Sequence, residues 1–204
     1  MAAPGFGAAR PDAARGAGDR LVESEALDNL GTLQQLIGDY PAAAASHQQA
    51  LALFRDLGDL YGQADALNAL GVVQQETGDY PAAAASHQQA LALFRDLGSL
   101  IGQAEALNRL GELSSQTSAT SQACERHTQA LAIARDISVP LEEARALEGI
   151  GNSHLQDGNP GQAAAQLRQA LAIYQRIGSP GAQRVRETLR QYGLQQASHQ
   201  PTHD

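Results

Sequence analysis

The chain has no lysine, no tryptophan, a single cysteine and an aromatic content of only 4% over 204 residues. All 14 basic residues are therefore arginine, and a phosphate-cradling GxxxxGK[ST] loop, a Schiff-base lysine and a kinase-type lysine are excluded. Cys124 has no second cysteine to pair with, so neither an intramolecular disulfide nor a tetrahedral cysteine metal site can form, and a reducing compartment is expected. No run of about 18 apolar residues exists, which argues against a membrane span. The first twenty residues carry Arg10, Arg15 and Arg20 without an apolar stretch of signal-peptide length, so the expected location is cytoplasmic. Alternating β-branched runs are also missing, and with them any strand signal.

What is present is a repeat. Residues 38–58 read GDYPAAAASHQQALALFRDLG, and residues 78–98 read the same 21 letters. A period between roughly 20 and 50 residues marks a solenoid, in which each unit leaves an apolar face that only a neighbour covers. Sliding the chain by 40 residues aligns four registers, recognisable by ALDNLG, ALNALG, ALNRLG and ALEGIG. In the first helix of each register the recurring positions are Leu27, Leu30, Gly31 and Gln34 and their equivalents, an i, i+3, i+4, i+7 helical stripe.

The second helix starts after Gly38-Asp39, where the aspartate caps exposed amides and Pro41 fits a first turn that needs no amide donor. Its stripe runs Ala43, His47, Ala50, Leu51, Phe54, Leu57, and Gly58 ends it. Asp59 and Ser99 are the expected caps of the following first helices. Mid-helix glycines at 31, 71, 111 and 151 each cost about 1 kcal/mol relative to alanine, which implies a close helix approach, expected from Ala43, Ala83, Ala123 and Ala163. The registers are unequal: residues 31–70 match 71–110 at 32 positions, whereas 71–110 match 111–150 at 13.

The Leu-x-x-Leu-Gly first helix, the Gly-Asp-Tyr turn and the Ala to Ala-Leu spacing of the second helix resemble the tetratricopeptide repeat family over about residues 21–178. The 40-residue period resembles the longer-helix variety of kinesin light chains and of actinobacterial regulator arrays. The family's aromatic positions hold Gln34, Gln74, Ser114 and His154 in the first helix, and His47, His87, His127 and Leu167 in the second. The resemblance implies an all-α, right-handed solenoid of antiparallel helix pairs. The expected layout is a disordered leader at 1–20, the solenoid at 21–178, a capping helix at 179–193 and a disordered tail at 194–204.

In this family the first helices face the inside of the superhelix and grip a peptide or a partner helix. Carried over register by register, that line is Glu25, Asp28, Thr32 and Gln35, then Asp65, Asn68, Val72 and Gln75. It continues with Glu105, Asn108, Glu112 and Ser115, then Arg145, Glu148, Asn152 and Leu155, with Arg109 as a residue that distinguishes one register from the next. From 21 to 159 there are 18 acids and 6 arginines, so the repeats repel nucleic acid and favour a neutral or basic protein partner. Residues 160–204 hold 5 arginines and 2 acids.

Other constellations read as structural. His47, His87 and His127 share a register, but successive helices stand about 8–10 Å apart, too far for one zinc ion with bonds of about 2.1 Å. Ser153, His154 and Asp157 fall on one helix and its turn, without an oxyanion loop, and Cys124 sits in an alanine register. No metal, cofactor or catalytic activity is expected. The function expected is a protein- or peptide-binding scaffold, with a sensor module related to a signalling ATPase or transcriptional regulator as the alternative. Self-association into a homodimer is compatible with the nearly identical surfaces of the first two registers.

Overall fold

The computed structural model describes residues 11–117 and 119–194. Among them are nine α-helices and no strand, the all-α class anticipated. The chain divides at Gly98/Ser99 into two compact units. The first contains α1 (Pro11–Leu36), α2 (Tyr40–Leu57), α3 (Leu60–Glu76) and α4 (Tyr80–Asp96). The second contains α5 (Leu100–Gln116), α6 (Thr120–Asp136), α7 (Pro140–Gln156), α8 (Pro160–Arg176) and α9 (Gly181–Gln191).

Local chemistry sets the ends of these helices. Asp39 Oδ1 accepts from the Ala42 amide at 3.2 Å, Asp79 does the same for Ala82, and Asp59 Oδ1 accepts from Tyr61 and Gly62. Ser99 caps α5 through Gly102. Gly58 closes α2 at φ +71, a left-handed geometry that favours glycine because it lacks a Cβ. Ser138 occupies the corresponding place after α6 and adopts φ +56 although it carries a side chain.

Helix α1 starts at Pro11, ten residues before the expected solenoid boundary, so residues 11–20 are helical instead of forming part of the leader. Proline is suited to a helix first turn, and Arg20 Nη2 reaches Asp56 Oδ2 at 2.7 Å, tying this extension to α2. The rest of the expected leader (1–10) and the tail from 195 lie outside the described residues.

The cores are alanine- and leucine-rich. In the first unit Ala43, Ala50, Leu51 and Phe54 of α2 are buried with Leu67 and Leu70 of α3. In the second, Leu147, Leu167, Tyr174, Val185 and Leu189 enclose the α7–α8–α9 packing. Leu70 and Val73 are 6% and 1% exposed, whereas their register equivalents on α1, Leu30 and Leu33, are 44% and 61% exposed, since no described helix lies beyond α1. Among the described residues no helix is long and apolar enough to cross a membrane.

Candidate partner-binding surface

The first helices of each unit carry the polar positions of interest, and their partners across the pair decide which remain available. Gly31, Gly71 and Gly111 do make a close approach, and the nearest atoms across it belong to imidazoles. A Cβ on each would fall 2.5–2.7 Å from His47, His87 and His127 respectively. In the fourth register Leu167 takes the histidine's place against Gly151, and the expected Ala163 lies beside it, its backbone oxygen 3.4 Å from where a Cβ would stand.

Each histidine is buried and joins a first-helix residue 19 positions earlier. His47 Nδ1 lies 2.7 Å from Asp28 Oδ1, His87 Nδ1 2.8 Å from Asn68 Oδ1, and His127 Nδ1 3.0 Å from Asn108 Oδ1. A carboxylate only accepts, so His47 carries its proton on Nδ1. Asn108 is oriented by its other end, where Nδ2 donates to the Glu142 backbone oxygen at 3.1 Å and to Glu142 Oε2 at 2.9 Å. Its Oδ1 must then accept from His127 Nδ1, leaving His127 Nε2 as a lone pair with no hydrogen-bond partner. Burial pushes the His127 imidazole down to about 4 from 6.5, so it is neutral near pH 7. Arg145 Nη1 completes this chain by donating to Glu142 Oε1 at 2.7 Å.

The fourth register is wired differently. Glu148 is buried and receives Arg184 Nε at 2.6 Å, Arg184 Nη2 at 2.7 Å and the Tyr174 hydroxyl at 2.9 Å. Donating hydrogen bonds to Glu148 raises the Arg184 pKa, while burial, helped by the Glu148 charge, raises that of Tyr174. One carboxylate thus joins α7, α8 and α9.

The expectation that Asn68, Asn108 and Glu148 face a partner needs correction, because all three are buried and hydrogen-bonded within their own unit. Sequence spacing could not show this, since their partners stand 19 to 36 positions away. Arg145 is likewise engaged with Glu142. Elsewhere the first helices frame recesses. In the first unit Glu25, Asp28 and Asp65 line one of about 230 Å³ together with Asp59 and Tyr61. In the second, Glu112 and Asn152 line one of about 410 Å³ between α5, α7 and α9. Arg109 Nη1 pairs with Glu112 Oε2 at 3.3 Å, whereas Glu105 and Gln75 are half-buried on their helices.

Against this geometry, the tetratricopeptide repeat profile matches residues 22–96 and 62–136, and a second profile of the same description matches 144–177. The chain belongs to the tetratricopeptide repeat family. No curated protein matches it in sequence. This tetratricopeptide protein is similar in structure to BtubC (BKLC) from P. vanneervenii, with a TM-score of 0.67 and 21% identity over 76% of this chain and 64% of that one. It also resembles aspartyl phosphate phosphatase F from Bacillus subtilis, with a TM-score of 0.78 and 13% identity over 85% of this chain and 46% of that one. A Rap protein complexed with Competence and Sporulation Factor aligns with a TM-score of 0.76 and 16% identity, over 84% and 48% respectively. The chain therefore spans from about half to just under two thirds of these proteins, and the likeness is one of fold.

Seven lining residues of the larger recess, Gln116, His127, Gly149, Gln156, Thr188, Gln191 and Tyr192, were not among the expected partner-binding positions of this repeat array. Gly149 departs from the register pattern, standing where Ala69 and Arg109 stand in earlier repeats, and that exception was the one available sequence signal. Among the described residues no group of three His, Cys, Asp or Glu side chains could hold a metal ion. The tail histidines His199 and His203, whose i, i+4 spacing would allow no more than adventitious metal binding, lie outside the described residues.

Proposed function

We propose that the protein is a non-catalytic scaffold that binds a protein or peptide segment, of neutral or basic character, along the first-helix surface of its repeats. The observation that supports this most is that the recesses of both units are framed by first helices and carry carboxylates: Glu25, Asp28 and Asp65 in one, Glu112 in the other. Carboxylates at a recess favour cationic or N–H-rich partners and steer them by long-range attraction. The tetratricopeptide assignment and the likeness to a Rap protein complexed with a factor support the scaffold class.

The test is binding of the full chain to immobilised peptide sets that are basic, neutral or acidic. Basic peptides are retained, and a variant with Glu25, Asp65, Glu105 and Glu112 all changed to arginine loses them while its helical circular dichroism is unchanged. Preferential retention of acidic peptides, or capture unaffected by the charge reversal, refutes the reading.

A further inference from the structure

We propose that the recess between α5, α7 and α9 is a subsite for a guanidinium group, that of an arginine side chain on the bound segment. This rests on the scaffold reading and names the residue that this site selects.

The inference follows from an inventory of donors and acceptors. The recess is lined by no arginine; its one charged side chain is Glu112, whose Oε2 also accepts from Arg109, and Gln116, Asn152, Gln156 and Gln191 add carboxamides that can present either an oxygen or an NH2 group. Ser115 and Thr188, both in its wall, have already committed their hydroxyl protons to helix carbonyls, Ser115 to Gly111 and Thr188 to Arg184, each at 3.2 Å. They present lone pairs. The His127 ring is also in the wall, with its Nδ1 proton held by Asn108, so Nε2 is an acceptor, 1% exposed as a residue and without a hydrogen-bond partner. Gly149 packs closely against this ring edge, since a Cβ there would stand 2.3 Å from Nε2.

An enclosure of one carboxylate, two spent hydroxyls and a buried imidazole lone pair, with four carboxamides whose oxygens can also accept, suits a ligand rich in N–H groups. Guanidinium supplies five, spread across a plane, and no lone pair to be repelled. The rest of the wall suits the remainder of an arginine side chain. Leu155 offers an apolar strip for the methylene stem, and the half-exposed Tyr192 ring offers a face to the cation. A carboxylate ligand would be repelled by the Glu112 charge.

The experiment titrates acetyl-glycyl-arginyl-glycinamide, its citrulline counterpart and its glutamate counterpart into the isotopically labelled full chain at pH 7.5. Saturable NMR shifts are expected for the His127 ring and the Asn152 side-chain amide with the arginine peptide. Affinity for the neutral citrulline peptide is at least tenfold lower, and the glutamate peptide causes no saturable shift. Glu112→Gln weakens the arginine peptide at least fivefold with helicity unchanged. Equal affinity for the arginine and citrulline peptides, or saturable shifts confined to residues outside the recess, overturns the proposal. Shifts of the latter kind leave the scaffold reading standing, because that reading is decided by the peptide sets and the fourfold charge reversal.

Discussion

His127 is a histidine whose neutrality the fold enforces. Its pKa falls from 6.5 to about 4 through burial, so between those values the unfolded chain binds more protons than the folded one. Stability from this residue is complete above about pH 6.5 and is lost as the pH drops towards 4. The full loss is on the order of 3 kcal/mol. Urea unfolding at a series of pH values should show this slope, and His127→Leu, which copies the Leu167 solution of the fourth register, should flatten it. Ser138 gives a second residue-scale outcome. Its φ of +56 is a conformation glycine adopts without a Cβ penalty, so Ser138→Gly should stabilise by about 0.5–1 kcal/mol, read as a raised midpoint in the same denaturant series. Neither feature could be anticipated residue by residue, since a histidine reports its burial, and a serine its φ, only once the surrounding helices are in place.

At the scale of elements, the helices themselves were legible and their fastening was not. Asp39, Asp59, Ser99 and Gly58 announce helix ends because a cap acts within three or four residues of itself. The docking of α9 depends instead on Arg184 reaching Glu148 across 36 positions, assisted by Val185 and Leu189 in the core. Arg184→Ala leaves a buried carboxylate with only the Tyr174 hydroxyl. Because the arginine side chain is itself 64% exposed, the loss is discounted to about 1–2 kcal/mol. Hydrogen exchange should show faster exchange for α9 amides while those of α5 and α6 stay protected. Helix α1 illustrates the opposite error in reading. The Pro, Gly and Asp content of the first twenty residues suggested a disordered leader, yet the helix runs back to Pro11 and is tied down by Arg20 and Asp56.

For the whole molecule, charge is the property most directly tied to partners. The formal net charge is -8, and the acids concentrate in the repeats while the last 45 residues lean towards arginine. Attraction to a basic partner is then partly long-range and should be screened. Raising salt from about 0.05 M to about 0.5 M is expected to slow association of a basic peptide roughly tenfold, with a much smaller effect on dissociation. Stopped-flow mixing at several ionic strengths measures both rates. A salt-independent association rate would place recognition in apolar contacts instead.

Local chemistry was enough to establish an all-α repeat with four helix pairs, because hydrophobic periodicity, caps and left-handed glycines act over a few neighbouring residues. The candidate surface was legible only in part: Glu25, Asp65, Glu112 and Asn152 do line recesses, while Asn68, Asn108 and Glu148 are taken up inside the fold. Whether a polar side chain is offered outward or consumed inward depends on what stands opposite it across the helix pair, and those partners are distant in the chain. Packing alone brought His127 against Gly149, oriented Asn108 through Glu142, and turned a row of similar polar residues into a few available groups and several structural ones.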